Sequence, residues 1–385
     1  MQRMISFFEQ RLKASGLVEP DSLVVAARED RIFWNRADSI LHPVFSTLLN
    51  NSSASALIFA FPAKPYSTII DYLCSTEQDA IYPRDCETRT FFHSFPVCRR
   101  TSPEAIGEAL RKGKAVIIPG WGIVTTGAMT LEQAFVNFSS VCFACFVKFY
   151  SDYLTAFLEG TLTDAFVEAL DQTRAYIPDY VRSAPTLMNG TFCSEEDIYR
   201  AMIEAGKMTV DLGLVDSFFG NISFYRDPAI YISQTGASLD YLAGCIDPCT
   251  LDHSSCAGIT ASSEFSAHRA VYDLTDAHAI VHGHPRFSVI LSMVCDRRDC
   301  PLRGQCHLRC PEKRHIGDIP IVSGEVGTGE FGLCNTVPLA LVESRGVIVY
   351  GHGVFTTARD DFNQALQSLL DIERMCRSEF FARIE

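Results

Sequence analysis

Short apolar runs, each cut off by glycine or proline, punctuate this chain and predict buried strands. The clearest lie at 56–62 (ALIFAFP), 116–120 (VIIPG), 279–285 (AIVHGHP) and 347–351 (VIVYG). After the second and fourth runs the period lengthens to that of a helix. Leu131, Phe135 and Phe138 recur in one case, and Phe362, Leu366 and Leu369 in the other, the spacing of an apolar helical stripe. Ile5, Phe8 and Leu12 share the same spacing near the start and predict a docking helix. Residues 161–177 (TLTDAFVEALDQTRAYI) read as helical, and Pro185 with Asn189-Gly190 marks a loop after them. Strands and helices mixed in this way predict an α/β fold.

The four runs are not independent. Residues 116–134 and 347–365 agree at eight of nineteen positions at a constant separation of 231. The pair 56–62 and 279–285 repeats in the same order at a separation of 223. Two co-linear matches predict a duplication. One module is expected over 1–160, a helical linker over 161–194 and a second module over 195–385. The copies differ where chemistry would sit. His282, His284 and His352 of the later copy face Phe59, Phe61 and Trp121 of the earlier one. Alternate strand residues share a face, so His282 and His284 stand side by side. His352 lies in a Gly-His-Gly turn that lets backbone approach closely. Three neutral imidazoles with an open position form the ligand set of catalytic zinc and related ions. Aromatic residues fill the same space without an ion.

Composition narrows the function classes. Lys plus Arg number 33 against 46 Asp plus Glu, a formal charge of −13, which disfavours a nucleic-acid partner because such binding rests on cationic neutralisation of phosphates. The opening MQRMISFFEQRLKASG carries charge throughout and lacks the apolar core of a signal peptide. No uncharged apolar run nears the ~18 residues of a membrane span. The expectation is a cytoplasmic protein whose 15 cysteines are reduced or metal-bound. Four of them, Cys295, Cys300, Cys306 and Cys310, crowd into 295–315 beside His307 and His315, and predict a second zinc site or an iron–sulfur cluster. Cys245, Cys249 and Cys256 form a looser group. The same insertion holds Arg297, Arg298, Arg303, Arg309, Lys313 and Arg314, the most cationic stretch of the chain.

The later module resembles the class II aldolase/adducin family. The motifs that carry the resemblance are Gly220-Asn221-Ile222-Ser223, Ile232-Ser233-Gln234-Thr235-Gly236, Ser262-Ser263-Glu264 with His268 after it, His282-Gly283-His284-Pro285 and Gly351-His352-Gly353. The resemblance implies two tandem modules of that fold, each a central, mainly antiparallel sheet flanked by helices, the first degenerate with Leu41 in the place of Glu264. It implies that His282, His284 and His352 hold a divalent metal, zinc first and Mn, Fe or Co as alternatives. Glu264 is then the catalytic carboxylate. Gly220, Asn221, Thr235, Gly236, Ser262 and Ser263 bind a substrate phosphate. Read as residues alone, Gly220-Asn221 also suits a turn, and Ser262-Ser263-Glu264 suits a helix start. His268, four residues after Glu264, shares its helix face as a structural partner.

The implied activity is an aldol cleavage or addition, passing through an enediolate, on a small phosphorylated sugar or hydroxy-carbonyl compound. Epimerase, decarboxylase and dehydratase chemistry on the same site are the alternatives. An adducin-like non-catalytic interaction protein and a sensor built on the cysteine cluster are the readings from other classes. The family also implies a homo-oligomer, here two chains making a four-module ring or a higher assembly. No proton-donating tyrosine is placed in the sequence, and Gln234 stands where the family commonly carries proline.

Overall fold

The computed structural model describes residues 1–385 except Asp38, Pro178, Ser217, His253 and Arg298, so Arg298 of the cationic stretch lies outside the described residues. The chain divides into two compact units, Met1–Pro178 and Asp179–Glu385.

The first unit opens with α1 (Gln2–Ala14), which buries Ile5, Phe8 and Leu12 as their spacing predicts. Then come β1 (Val24–Arg28), β2 (Ile32–Trp34), α2 (His42–Asn50), β3 (Ala56–Ala60), α3 (Tyr66–Thr76), β4 (Ala80–Ile81), α4 (Cys86–Phe92), β5 (Phe95–Pro96), α5 (Pro103–Lys112), β6 (Ala115–Ile118), β7 (Gly122–Gly127), α6 (Leu131–Glu159) and α7 (Asp164–Arg174). Five strands pair antiparallel in the order β2-β1-β3-β7-β6. Helix α6 starts at a capping box, Thr130 with Gln133, and ends at Gly160 in the left-handed conformation. The sequence suggested no stretch of membrane-spanning length, yet this 29-residue helix is long and apolar enough; 72% of its apolar window is buried inside the unit. The helix packs against β7 and β3.

The second unit contains α8 (Glu195–Asp211), β8 (Asn221–Arg226), β9 (Ala229–Ser233), β10 (Ile246–Thr250), α9 (Phe265–Leu274), β11 (Ala279–Gly283), α10 (Arg286–Met293), β12 (Arg314–Ile316), β13 (Ile319–Val322), α11 (Leu333–Leu341), β14 (Gly346–Val349), β15 (Gly353–Ala358) and α12 (Asn363–Ile384). Its eight strands run β10-β9-β8-β11-β15-β14-β13-β12, antiparallel except for the β13–β14 pair. The stretch 161–194, read as a linker, divides between the units. Phe166 of α7 stacks on Tyr72 in the first. The backbone N–H groups of Ala184 and Leu187 donate to Gln367 and Asn363 on α12 in the second.

The two sheets share order and register. Strands β9-β8-β11-β15-β14 repeat β2-β1-β3-β7-β6. Phe59 lies opposite Val124 and Val24, as His282 lies opposite Phe355 and Asn221. Both sequence separations thus map onto one backbone frame. Buried Thr125 and Thr356 each donate a hydroxyl to the following helix, to the carbonyls of Ala134 (2.8 Å) and Ala365 (2.9 Å).

Glu373 of α12 ties the second unit together. Fully buried, it accepts from the N–H groups of Phe287 and Ser288, from the Ser288 hydroxyl and from Tyr180. It thereby closes the N-terminus of α10, where a negative group belongs. Burial raises its carboxyl above the usual range, against the pull of these bonds. Glu373→Ala leaves buried donors without an acceptor, and chemical denaturation is expected to show a loss of about 3 kcal/mol.

A three-histidine candidate metal centre

Strand β11 delivers His282, the residue just beyond its end is His284, and the β14–β15 turn carries His352. His282 is fully buried, His284 3% exposed and His352 6% exposed. The Nε2 atoms of His284 and His352 lie 3.0 Å and 3.2 Å from Nε2 of His282. Gly353 makes this closeness possible, since a Cβ there would meet the Gly283 carbonyl at 2.4 Å and the His282 ring at 2.8 Å. Phe355 stacks on His282 with centroids 3.9 Å apart, and Phe219 stacks on His284.

Glu264 completes the cluster at the N-cap of α9. Its Oε1 lies 2.9 Å from His352 Nε2 and its Oε2 3.4 Å from His282 Nε2. Asn221 Nδ2 donates to Oε2 at 2.7 Å. Burial alone would raise this carboxyl. The neighbouring His282 and His352, and hydrogen bonds from His352 and Asn221, outweigh it and hold the group well below its ordinary value. Burial pushes His282 down to about 4 and His284 well below the usual imidazole range. Neutral rings beside an ionised carboxylate are the states a cation site needs.

The donor set fits a divalent ion. His282 Nδ1 is 3.0 Å from the Val354 carbonyl, which can only accept, so the ring proton sits on Nδ1. Nε2 then carries a lone pair, and two further ring nitrogens crowd it. A tautomer fixed by a backbone carbonyl with Nε2 left free is how metal-ligating histidines are oriented. Among the described residues these three histidines form the group of His, Cys, Asp or Glu gathered closely enough to share an ion.

The other predicted residues fall less evenly. Thr235, Gly236, Ser262 and Ser263 do come together, because Thr235 N–H donates to the Thr260 carbonyl and Ser262 N–H to the Ser233 carbonyl. Thr235 also commits its hydroxyl to the Ala261 carbonyl at 2.9 Å. Its role here is to fasten the two segments, while exposed Ser263 and Gly236 face outward. Asn221 pairs opposite His282 on the sheet and donates its Nδ2 to Glu264. Gly220 adopts φ +79, and a Cβ there would meet the His282 carbonyl at 2.4 Å. Its part is close packing against β11.

Cys295, Cys300, Cys306 and Cys310 are free thiols and form no ion-sharing group among the described residues. Their segment folds as successive turns after α10. The Arg303 N–H donates to the Cys300 carbonyl and the Ser323 hydroxyl to the Cys306 carbonyl, and these bonds help fix its course.

Several contributors have no role readable from the sequence alone, although Ser223 lies within the Gly220-Asn221-Ile222-Ser223 motif. Asp247 accepts from Gln234 and Thr260 and braces the 234–236 loop. Ser292 accepts the Gly351 N–H at 2.8 Å and so fixes the turn that carries His352. Ser223 and Tyr272 bond to one another beside His268. Only Tyr272 could have been found, one helical turn beyond His268.

In the first unit the equivalent positions are apolar. Leu41 stands at the N-cap of α2 as Glu264 does at that of α9. Phe59 lies 4.9 Å from Trp121, 5.3 Å from Phe45 and 6.2 Å from Phe61, centroid to centroid. Leu41 and Trp121 pack against the same cluster.

Residues 200–380 match the family model described as Class II Aldolase and Adducin N-terminal domain. No curated protein matches the chain. Among solved structures, the chain is similar to an l-fuculose-1-phosphate aldolase from Thermus thermophilus, with 25% identity, 49% of this chain and 95% of that chain covered, and a TM-score of 0.39. A sugar-phosphate aldolase from Thermotoga maritima gives 18% identity, 48% and 93% coverage, and a TM-score of 0.35. An L-fuculose 1-phosphate aldolase from Glaciozyma antarctica gives 14% identity, 50% and 78% coverage, and a TM-score of 0.36. The family match falls on the segment that holds His282, His284, His352 and Glu264, so over residues 200–380 this chain resembles the class II aldolase and adducin family.

Proposed function

We propose that the second unit is a divalent-metal-dependent lyase of the aldolase type, acting on a small phosphorylated hydroxy-carbonyl compound. The observation that carries this reading is the buried convergence of the His284 and His352 Nε2 atoms on that of His282, with the Glu264 carboxylate beside His282 and His352. An ion held by His282, His284 and His352 would supply Lewis-acid polarisation of a carbonyl. Glu264 is suited to remove the proton on the carbon beside that carbonyl. Asn221 keeps it ionised and aimed, and the Phe355 and Phe219 rings exclude water from the imidazoles. The hydroxyls of Ser262 and Ser263 and the Gly236 backbone supply neutral donors for a phosphate at the edge of the site. Epimerisation, decarboxylation and dehydration begin with the same polarised carbonyl and remain alternatives for the later steps.

The first unit reads as a copy of the same fold whose ion site has been filled by side chains. Shared strand order, shared register and the Phe45, Phe59, Phe61, Trp121 and Leu41 cluster support that reading. An adducin-like interaction role suits this unit better than the second.

Purified protein assayed on L-fuculose 1-phosphate and related sugar phosphates is expected to turn over only with metal bound. Dialysis against a chelator should abolish cleavage, and added Zn, Mn or Co should restore it. Undiminished turnover after complete metal removal would defeat the proposal.

A further inference from the structure

We propose that helix α10 is a strut that sets the spacing of His284 and His352, which makes Ser292 a positioning residue of the candidate metal centre. The inference rests on the three-histidine reading of that centre. Helix α10 starts at Arg286 with Pro285 as its N-cap, so the chain itself ties its first turn to His284. Its last turn reaches the third imidazole. Ser292 Oγ accepts the Gly351 N–H at 2.8 Å, and Gly351 directly precedes His352 in the β14–β15 turn. One element thus meets two of the three imidazoles, one through covalent bonds and the other through a single hydrogen bond. Those two rings place their Nε2 atoms 3.0 Å and 3.2 Å from that of His282.

The hydrogens around Ser292 define its part. A peptide N–H can only donate, so Ser292 receives that of Gly351 on a lone pair. Its own hydroxyl proton is then free for the Val289 carbonyl, 2.6 Å away and one turn back. Ser292 is fully buried, in a helix whose other buried residues are Phe287, Ser288, Val289, Ile290 and Leu291. A hydroxyl in such surroundings is unfavourable unless it is bonded, and alanine would be the better helix former. Ser288, one turn earlier on the same face, is committed in the same way, to Glu373. Helix α10 is therefore held by Glu373 at its start and by Gly351 at its end, and it packs against α12, β14 and β15 between them.

The first unit supplies an internal control. Gly120 and Trp121 stand at the separation of 231 from Gly351 and His352. Both glycines adopt positive φ, +69 and +60. Both turns also close on the same backbone bond, Trp121 N–H to the Ile118 carbonyl at 2.9 Å and His352 N–H to the Val349 carbonyl at 3.1 Å. Gly120 is exposed to water, whereas Gly351 is buried. The turn therefore forms in this fold without a serine beneath it. The bond from α10 is an addition, made in the unit whose turn carries an imidazole. A metal ligand must stand within about 0.2 Å of its proper distance. Trp121, packed on Phe45 and Phe59, meets no such demand.

Ser292→Ala provides the test. The variant is expected to fold cooperatively, since it loses one oxygen atom and gains helix propensity. Its Kd for Co(II), measured by competition with a chromophoric chelator, should rise about 10–100-fold, and the visible Co(II) bands should shift as the third imidazole relaxes. Ser292→Thr keeps a hydroxyl that can bond the preceding turn of a helix, and should hold the Kd within a few-fold of wild type. A wild-type Kd in Ser292→Ala would overturn the proposal. Equal weakening in Ser292→Thr would assign the effect to packing and overturn it as well. Amide hydrogen exchange in the metal-free protein separates the tether from the centre. Gly351 should exchange slowly in wild type and faster in Ser292→Ala, and an unchanged rate refutes the tether whatever the metal does. A wild type that binds no Co(II) while Gly351 stays protected refutes the three-histidine centre, and with it the role given to Ser292.

Discussion

Replacing His282 with alanine is expected to reduce bound divalent metal from one equivalent per chain to none, and to lower turnover by roughly 10⁴-fold or more. His282 is the pivot of the cluster, since the Nε2 atoms of His284 and His352 each approach its own. It is also a ring whose proton is fixed by the Val354 carbonyl, so no rearrangement of the other two replaces its lone pair. The expected stoichiometry is one ion, because Phe59, Phe61 and Trp121 occupy the equivalent positions of the first unit. Metal analysis by plasma emission on wild type and variant provides the check. Retention of a full equivalent by His282→Ala would remove the three-histidine centre from consideration.

Glu264→Gln is expected to separate chemistry from metal binding. Glutamine preserves side-chain volume and can still accept from Asn221 Nδ2, so the imidazoles keep their surroundings and the ion its affinity within a few-fold. It cannot take a proton at neutral pH. Removing a positioned base costs about 10²–10⁴-fold, and deuterium exchange at the carbon beside the substrate carbonyl should fall by that factor. Loss of metal together with activity would make Glu264 a ligand rather than a base. Unchanged exchange would transfer the base role to another group.

Much of this centre was readable from the chain because its determinants are short in range. A His-x-His pair on an apolar run fixes two imidazoles on one strand face by backbone geometry alone. Comparison with Phe59, Phe61 and Trp121 singles out the three positions proposed to hold the ion, and the register of β3, β7, β11 and β15 maintains the correspondence. Helix α1, the start of α6 and the helical run after Phe362 followed equally from periodicity. Asn221 was assigned to phosphate on its motif, but its orientation depends on which strand lies beside β8.

The sequence by itself determined the alternation of strands and helices, the repeat, and which copy keeps ionisable side chains, since each depends on residue type at fixed covalent spacing. Tertiary structure decided which polar groups meet across long separations. Glu373 closes α10 from 85 residues away, Ser292 holds the His352 turn across 59, and Ser223 reaches His268 across 45. No local pattern encodes such pairs. They arise when burial removes water, and each remaining donor or acceptor must find its partner in whatever element packs against it.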